Sequence, residues 1–567
     1  MTEMVLLGDE AVALAAVHAG LTAAYAYPGT PSTEILEYLV RYERQHGQPH
    51  AAWSTNEKTA YEEALGVSFA GRRAMTSMKH VGLNVAADPF MNSAIVSING
   101  GLVVVVADDP GMHSSQNEQD SRYYADFARV VCLEPANQQE AYDMTREAFD
   151  LSERFQVPVV VRLVTRLAHS RAVVRVREAR PQNPVAKAPV PSSWILLPAN
   201  ARRQWHDLLQ RQPSFAAWSE GSAFNELHLN DEQRDLGVIT TGIARNYYVE
   251  NLEDLGYRPS HLHVGAYPVP GALVRRLAAH VRRLLVLEEG YPYVERMLRG
   301  VLGSNPAKAG FLEDGGRLGN IGGFDDEGAE FHEGQAVAPR NGLEILGKES
   351  GHVPAEGELT PDIVRRALCL PVRQGVEIEG LALPNRPPQL CAGCPHGDSF
   401  DAIKEALKGF ATPVVTSDIG CYTLGALPPY NAVESCVCMG ASVGMAKGAA
   451  DAGLKPAIAL IGDSTFLHSG VTPLMDAVAA NTDMTLIVLD NETTAMTGGQ
   501  PTILPSSRLQ PLVLGLGVDP AHCHVLTAHH RFNAQNVEVI RREIEHPGLS
   551  VIITVRECIE TLKAKKS

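Results

Sequence analysis

Two short polar segments, 28 residues apart at Asp463 and Asn491, carry groups that could hold a metal ion and a phosphate. They read Gly462-Asp463-Ser464 and Asp490-Asn491-Glu492-Thr493. Mg²⁺ prefers oxygen ligands, so Asp463 could offer its carboxylate, Asn491 its side-chain carbonyl and Thr493 its backbone carbonyl. Gly462 lets the backbone approach a diphosphate closely. An isolated Gly-Asp-Ser is more often a turn that caps a helix, but the second segment at matched spacing favours the metal and diphosphate site.

Another chemically active group is the cysteine pair in Cys391-Ala392-Gly393-Cys394. A pair at this spacing can ligate zinc, exchange electrons as a dithiol or ligate an iron–sulfur cluster, and many such pairs are inert. Zinc would need a second pair, and Cys436 and Cys438 are separated by only one residue. The spacing alone leaves these alternatives open.

Both polar segments follow apolar runs that predict strands of a parallel sheet. The strands predicted in this part of the chain are Pro413–Ser417, Ile458–Ile461, Leu486–Leu489 and Val551–Val555. In doubly wound sheets, ligands bind at the carboxyl ends of the strands. We therefore expect Asp463 and Asn491 to face the same crevice.

Apolar runs that alternate with helical patterns recur in two earlier parts of the chain. The strands predicted there are Leu102–Asp109, Val157–Thr165, Val238–Gly242 and Leu284–Gly290. This alternation predicts the α/β class, with several doubly wound parallel-sheet domains. The Pro- and Arg-rich stretch Arg171–Pro198 predicts a linker, and the Gly-, Glu- and Pro-rich stretch 306–384 predicts a long irregular connection.

Composition excludes several classes of protein. The 567 residues, 45% hydrophobic and 20% charged, are enough for roughly three or four globular domains. A net charge of −16 disfavours a nucleic-acid partner. No apolar window approaches the ~20 residues of a membrane span, and the N-terminus lacks the basic region of a signal peptide. We expect a cytoplasmic protein, and nine cysteines without a regular framework argue against a disulfide scaffold.

Four longer stretches resemble a known family. Gly462–His468 (GDSTFLH) and Leu489–Gly499 (LDNETTAMTGG) are very similar to the thiamine-diphosphate motif of the indolepyruvate oxidoreductases. Lys79–Asp88 (KHVGLNVAAD) and Asp108–Arg122 (DDPGMHSSQNEQDSR) resemble the N-terminal domain of the same family. The resemblance covers nearly the whole chain in order, and it is to the large subunit of indolepyruvate:ferredoxin oxidoreductase.

The resemblance implies two thiamine-diphosphate-binding folds and a third α/β domain. The five expected regions are a pyrimidine-binding domain at 1–175, a linker at 176–235, a domain like the C-terminal domain of transketolases at 236–345, an irregular connection at 346–385 and a diphosphate- and magnesium-binding domain at 386–567.

The family's cofactor implies roles for individual residues. The residues expected to bind thiamine diphosphate are Glu57, Gly440, Gly462, Asp463, Ser464, Asn491 and Thr493, with Mg²⁺ on Asp463, Asn491 and Thr493. Glu57 opens the predicted helix Glu57–Phe69 and matches the glutamate that activates the cofactor through its pyrimidine ring. Taken alone, Glu57 could merely stabilise a helix N-terminus.

Two other N-terminal features, Thr30 and the pair Lys79 and His80, could contact the substrate or serve a structural role. Thr30, in Tyr27-Pro28-Gly29-Thr30-Pro31, matches a threonine that contacts substrate in related oxidoreductases. The alternative is a turn hydroxyl that caps the helix predicted at Ser32–Val40. Lys79 and His80 could hold a substrate carboxylate or a phosphate, or could form a solvated strand end.

The family also implies one [4Fe–4S] cluster near the cofactor. The matching cysteines are Cys391, Cys394, Cys421 and Cys558, of which Cys558 rests only on its position after the last predicted strand. Four thiolates is the right number for such a cluster. Buried free cysteines are the alternative.

The reaction that the resemblance implies is oxidative decarboxylation of a 2-oxoacid, expected to be an arylpyruvate, with transfer of the acyl group to coenzyme A. The family works with a small second subunit, so we expect a heterotetramer. Its large subunit usually ends in a ferredoxin-like domain with repeated cysteine motifs, which we expect to be absent here, so the electron acceptor stays open. The alternatives are a decarboxylase or carboligase without redox chemistry and a scaffold subunit without cofactor.

Overall fold

The computed structural model describes residues 2–302, 343–373 and 389–565. The chain divides into two compact units, and we describe each by itself. The first unit consists of Met1–Ala24, Glu34–Ala51 and Glu62–Gly375, and the second of Tyr25–Thr33, Ala52–Tyr61 and Val376–Ser567.

Short runs of aliphatic and β-branched residues form the strands. In chain order they are β1 Thr2–Leu7, β2 Ala23–Ala26, β3 His50–Trp53, β4 Ala74–Lys79, β5 Leu102–Asp108, β6 Cys132–Leu133, β7 Val159–Val164, β8 Arg171–Val176, β9 Asn225–His228, β10 Leu236–Thr241, β11 Ser260–Val264, β12 Ala266–Tyr267, β13 Arg283–Leu287, β14 Glu344–Leu346, β15 Val414–Ser417, β16 Ala457–Gly462, β17 Met484–Asp490, β18 Thr493–Thr494, β19 Gln500–Pro501, β20 Cys523–Thr527 and β21 Leu549–Val555.

Helices connect and cover these strands. They are α1 Gly8–His18, α2 Thr33–His46, α3 Glu57–Phe69, α4 His80–Val85, α5 Ala87–Ser93, α6 Arg122–Phe127, α7 Gln138–Phe155, α8 Thr165–His169, α9 Pro198–Glu220, α10 Ala244–Leu255, α11 Gly271–His280, α12 Tyr293–Leu302, α13 Pro361–Ala367, α14 Pro395–Ala406, α15 Ala441–Asp451, α16 Asp463–Thr465, α17 Val471–Ala480, α18 Leu509–Gly515, α19 Asn533–Glu545 and α20 Ile559–Ala564. Among the described helices, none combines the length and apolar character needed to cross a membrane.

Two large sheets occur before residue 375. The seven-stranded sheet has the order β12-β6-β7-β5-β4-β2-β3, with β4, β5, β7 and β6 parallel. The five-stranded sheet has the order β14-β13-β10-β11-β9. Its edge strand β9 pairs antiparallel with β11, and the other neighbouring strands pair parallel. Every residue of β5 is buried, which explains why its sequence is continuously apolar instead of alternating.

The sheet of the second unit is fully parallel, in the order β15-β16-β17-β21-β20. Alternate residues of β16 enter different cores: Ile461 packs with residues of α15 and α17, and Leu460 packs with residues of α14 and α19. Helices on both faces confirm the predicted doubly wound α/β class.

The predicted linker is wrong at both of its ends. Arg171–Val176 forms β8, which pairs antiparallel with β1 over six residues. Its partner lies at the start of the chain, so local periodicity could not reveal the pairing. Pro198–Glu220 forms the 23-residue helix α9, in which Pro213 interrupts the sequence pattern without ending the helix. Strand β9 then joins the second sheet before the predicted boundary at residue 236.

Much of the predicted irregular connection, residues 306–342 and 374–384, lies outside the described residues. The described part between these segments contains β14 and the seven-residue helix α13, whose N-cap Thr360 accepts a hydrogen bond from Ile363 N. The same limits apply to the expected regions 236–345 and 346–385, which the structure describes only as far as residue 302 and from 343 to 373.

Candidate cofactor-binding site

Acidic side chains gather where β16 and β17 end. Asp463 begins α16 directly after β16, and Asp490 is the last residue of β17. Parallel pairing of the two strands brings their carboxyl ends to one edge of the sheet. Both carboxyl groups are buried, with exposed fractions of 4% for Asp463 and 3% for Asp490.

These two carboxyl groups lack a full set of partners. Oδ1 of Asp463 accepts a hydrogen bond of 2.8 Å from Ser464 N, and Oδ1 of Asp490 accepts one of 3.1 Å from Glu492 N. Among the described residues, Oδ2 of each has no hydrogen-bond partner. Burial, and then the charge of Asp490, raise the pKa of Asp463 well above its usual value. Paired buried carboxylates with free oxygens fit a divalent cation, because the cation would remove this electrostatic cost.

The turn after β17 orients the other two expected metal ligands. Oδ1 of Asn491 accepts a hydrogen bond of 3.1 Å from Thr493 N, and its amide nitrogen lies 3.3 Å from Nε2 of His396. Burial lowers the pKa of His396 to about 4, so its ring is neutral and can accept from that amide. Thr493 Oγ1 donates to Gln500 O at 3.0 Å, which fixes the small β18–β19 ribbon.

Glu57 lies in the second unit, where it meets a histidine. Its Oε2 is 2.7 Å from Nε2 of His468, and the exposed fractions of the two residues are 6% and 4%. His468 sits in the five-residue π-helical turn Phe466–Gly470 that follows α16. The imidazole donates to the carboxylate and accepts at Nδ1 from the hydroxyl of Ser469. Asn56 holds the same turn, since its amide donates to His468 O at 3.0 Å.

A chain of hydroxyl groups adjoins Asp463. Tyr27 OH lies 2.7 Å from Ser464 Oγ, which also accepts a 3.0 Å hydrogen bond from Thr494 Oγ1. The Tyr27 ring packs edge-on against His468, with ring centroids 4.6 Å apart. Burial raises the pKa of Tyr27, and the nearby acids Glu57 and Asp463 raise it further, so the phenol stays protonated and polar. Tyr27 therefore links the Tyr-Pro loop to both acidic centres.

Two of the expected glycines are needed for close approach. Gly440 has φ +84° at the start of α15, and a Cβ there would lie 2.5 Å from Cβ of Ser469. A Cβ on Gly462 would lie 2.6 Å from the ring of Tyr422. The backbone at both positions thus packs at distances that no larger residue permits.

The four expected cluster ligands sit on neighbouring loops of this unit. Burial, and then the charges of the other three cysteines, raise the pKa of Cys421 to about 12, so Cys421 lies within electrostatic reach of each of them. Cys394 is the N-cap of α14, and Gly397 N donates to Cys394 O at 3.1 Å. Burial raises the pKa of the Cys394 thiol, and the backbone N–H groups of His396 and Gly397 oppose that rise. Cys558 N donates to Asn491 O at 3.1 Å, which ties the last cysteine to the turn after β17.

The spacing of these thiols bears on what they could hold. Among the described residues, the only trio of His, Cys, Asp or Glu ligand atoms within 4.8 Å of one another involves other residues. The thiols are thus more widely spaced than ligands of a single zinc ion, whose bonds of ~2.3 Å bring them close together. A larger group such as an iron–sulfur cluster suits this spacing better.

The remaining predicted residues are placed as follows. Thr30 is half-buried in the second unit, in the loop where Gly29 N donates to Thr33 Oγ1 at 3.0 Å. Lys79 and His80 belong to the first unit. Lys79 Nζ donates to Ser114 O at 2.6 Å, and His80 Nε2 lies 3.2 Å from Asn117 O.

Sequence reasoning missed three residues of this site. Asp490 belongs to the second polar segment but was assigned no role. Its position at the end of a predicted strand, which identified Asp463, could have identified Asp490 as well. His468 closes the GDSTFLH stretch, but its partner Glu57 is 411 residues away. Asp418 follows β15 at the same sheet edge, and its carboxylate accepts from Ser442 N at 2.7 Å and from the Ser442 hydroxyl.

Two family models match the chain. The model described as "Pyruvate flavodoxin/ferredoxin oxidoreductase, thiamine diP-bdg" matches residues 14–202, which include Glu57. The model described as "Thiamine pyrophosphate enzyme, C-terminal TPP binding domain" matches residues 418–553, which include Asp463 and Asn491. Both halves of the candidate site therefore fall inside thiamine-diphosphate-binding families.

Relatives match over nearly the full chain. Indolepyruvate oxidoreductase subunit IorA of Archaeoglobus fulgidus is 36% identical over 98% of this chain and 86% of its own length. The subunit of the same name from Pyrococcus horikoshii is 35% identical with the same coverage. A solved 2-oxoglutarate:ferredoxin oxidoreductase from Magnetococcus marinus is 18% identical, with a TM-score of 0.45 over 53% of this chain and 60% of that chain. The resemblance seen in the sequence is confirmed, and the chain belongs to the IorA subunit family of the thiamine-diphosphate-dependent indolepyruvate oxidoreductases.

Proposed function

We propose that this chain is the catalytic subunit of an oxidoreductase that oxidatively decarboxylates an arylpyruvate, such as indolepyruvate or phenylpyruvate, to an acyl-CoA. The observation that carries the proposal is the buried acidic set of the second unit. Glu57 contacts the turn that follows Asp463, and Asp463 and Asp490 keep oxygens without hydrogen-bond partners among the described residues. The names of the relatives support the choice of an arylpyruvate.

In this proposal Asp463, Asn491 and the backbone carbonyl of Thr493 hold Mg²⁺, with Asp490 beside them, and the cation holds the diphosphate. Gly440, Gly462 and Ser464 line the same edge of the sheet. When bound, thiamine diphosphate supplies the electron sink that permits loss of CO₂ from a 2-oxoacid. The chain contributes buried polar groups, several of which hydrogen bonds already orient.

Glu57 exchanges a proton with the pyrimidine ring of the cofactor. Its carboxyl group is buried away from water, and a hydrogen bond to a ring nitrogen is stronger in such a buried site than in solvent. His468 holds Glu57 in position, since its N–H donates to the carboxylate while Ser469 fixes the other ring nitrogen. Thr30 orients the substrate from the Tyr-Pro loop, and Tyr27 anchors that loop to Ser464.

For the two electrons released, we propose one [4Fe–4S] cluster on Cys391, Cys394, Cys421 and Cys558. The charge effects of the other three cysteines on Cys421 and the wide spacing of the thiols support this set. The N–H groups at the start of α14 would stabilise a thiolate at Cys394. From the cluster, electrons pass to a partner subunit or an external acceptor.

The relatives are named as subunits, so the working enzyme contains at least one other chain. We propose a small second subunit in a heterotetramer, as the family resemblance implies. Coenzyme A is the proposed acyl acceptor on the same ground.

The test is an anaerobic assay of the chain co-purified with its second subunit. We expect CO₂ release from indolepyruvate and phenylpyruvate that depends on coenzyme A and reduces two equivalents of a one-electron dye per CO₂. Pyruvate and 2-oxoglutarate serve as substrate controls. CO₂ release with an aldehyde product and no dye reduction would contradict the oxidoreductase and favour a decarboxylase.

A further inference from the structure

A trio of metal-ligating side chains lies in the first unit. One ligand atom each from Asp9, Glu34 and His169 falls within 4.8 Å of the other two. Asp9 is in the first turn of α1, Glu34 in the first turn of α2, and His169 ends α8. The three residues share no local motif, since only folding brings them together.

Asp9 is the unusual member of the trio. It is 0% exposed, and neither of its carboxylate oxygens has a hydrogen-bond partner among the described residues. A buried carboxylate without partners costs several kcal/mol, so native proteins normally pair it or bind it to a metal. No basic side chain forms an ion pair with Asp9 in the described part of the chain. The nearest acids, Glu34 and Glu10, make its environment still less favourable for a bare negative charge.

The other two members complete a mixed ligand set. Glu34 Oε2 lies 3.4 Å from His169 Nε2, and the His169 side chain is 34% exposed. Two carboxylates and one imidazole suit divalent ions of intermediate hardness such as Zn²⁺ and Mn²⁺, with water at the remaining positions. The partly exposed His169 gives such an ion a path from solvent.

We propose that Asp9, Glu34 and His169 bind one divalent cation of this class. The cation neutralises Asp9 and joins the β1–α1 junction, the start of α2 and the end of α8. Because α8 leads directly into β8, the partner of β1, the ion stabilises the paired strands β1 and β8. The site is separate from the diphosphate site and does not depend on the proposed function.

The test is Mn²⁺ binding to the full-length chain, measured from the electron paramagnetic resonance signal of free Mn²⁺. Mn²⁺ is the probe because thiolates bind it weakly, so the cysteines do not compete. An Asp463→Asn background without thiamine diphosphate removes the other carboxylate site. We expect one Mn²⁺ per chain, and His169→Ala should raise its Kd at least about tenfold.

Two further variants make the result decisive. Glu34→Gln keeps the size of the side chain and should weaken binding to a similar extent. His206→Ala, an exposed histidine on α9, should leave the Kd unchanged. Failure of the background chain to bind Mn²⁺, or equal binding by the His169→Ala and His206→Ala chains, would overturn the proposal.

Discussion

Oε2 of Glu57 and Nε2 of His468 lie 2.7 Å apart, although 411 residues separate them in the chain. Glu57 is the first residue of α3, and His468 lies in the turn that follows Asp463. The contact joins an N-terminal segment of the second unit to the edge of the sheet proposed to bind the diphosphate. It gives the proposed proton-exchanging carboxylate a fixed orientation next to the proposed metal site.

Replacement of this carboxylate tests its role in cofactor activation. Glu57→Gln keeps the size of the side chain but cannot exchange a proton with the pyrimidine ring, so kcat should fall about 10²–10⁴-fold. Titration with thiamine diphosphate should show a Kd within about tenfold of wild type, because the diphosphate and Mg²⁺ provide most of the binding energy.

The matched control is Glu63→Gln, on the exposed side of the same helix, which should retain full activity. Normal kcat in the Glu57→Gln enzyme would show that another group activates the cofactor.

Asp463→Asn should have opposite effects on the free and the cofactor-bound protein. Without cofactor, the substitution removes one of two adjacent buried carboxyl groups and should raise the free energy of unfolding by on the order of 1 kcal/mol. With Mg²⁺ and thiamine diphosphate at 100 times Kd, the wild type should gain about 2.7 kcal/mol and the variant almost nothing. Thermal unfolding with and without ligands measures both effects. A ligand-induced shift of equal size in the two proteins would rule out Asp463 as a metal ligand.

The close approach of α15 to the His468 turn can be tested at Gly440. Gly440→Ala places a Cβ 2.5 Å from Ser469 Cβ at a φ of +84°, so it should destabilise the protein by about 1–3 kcal/mol and weaken cofactor binding.

Gly444, inside the same helix, provides the control because a Cβ there meets nothing within 4 Å. Gly444→Ala should leave cofactor binding intact and stabilise the protein by up to about 1 kcal/mol. Similar losses of stability in both variants would contradict the steric account.

Burial raises the pKa of Asp418 to about 6, against the opposing effect of two hydrogen bonds from Ser442 and the nearby His468. The folded state disfavours the ionised form of Asp418. The protonated carboxyl group therefore makes its full contribution to the free energy of unfolding below pH ~4, and this contribution is lost as pH rises through 6. Between pH 4.5 and 7.5 the wild type should therefore lose about 2 kcal/mol of its free energy of unfolding relative to Asp418→Asn. Urea unfolding of both proteins from pH 4.5 to 7.5 gives the difference. Parallel pH profiles would show that the Asp418 carboxylate is as well stabilised in the folded state as in water.

Patterns that are local in the chain predicted much of the fold. The helix expected at Glu57–Phe69 has the same bounds in the structure, and the strands expected at Ile458–Ile461 and Leu486–Leu489 are longer by two and three residues. These elements could be predicted because their apolar residues are buried against neighbours on a regular sheet. Strand β8 and helix α9 were missed, since one depends on a distant partner and the other contains a proline.

The sequence predicted those residues of the site that belong to a recognisable motif. Asp463 and Asn491 follow adjacent parallel strands, so their common location follows from sheet topology alone. The contacts of Tyr27 with Ser464 and of Glu57 with His468 join distant parts of the sequence, and no spacing rule gives them. Oδ2 of Asp463 and of Asp490 has no hydrogen-bond partner in the described part of the chain, which is a property of packing that only the folded structure displays.

The account depends most on electron transfer through the four cysteines. The most direct measurement is iron and acid-labile sulfide per polypeptide, in chain purified without oxygen. We predict about four irons and four sulfides, lost in Cys394→Ala and retained in Cys438→Ala, whose exposed thiol lies outside the proposed set. Absence of iron from the wild type, or equal iron in the two variants, would contradict the cluster and with it the proposed route for the electrons.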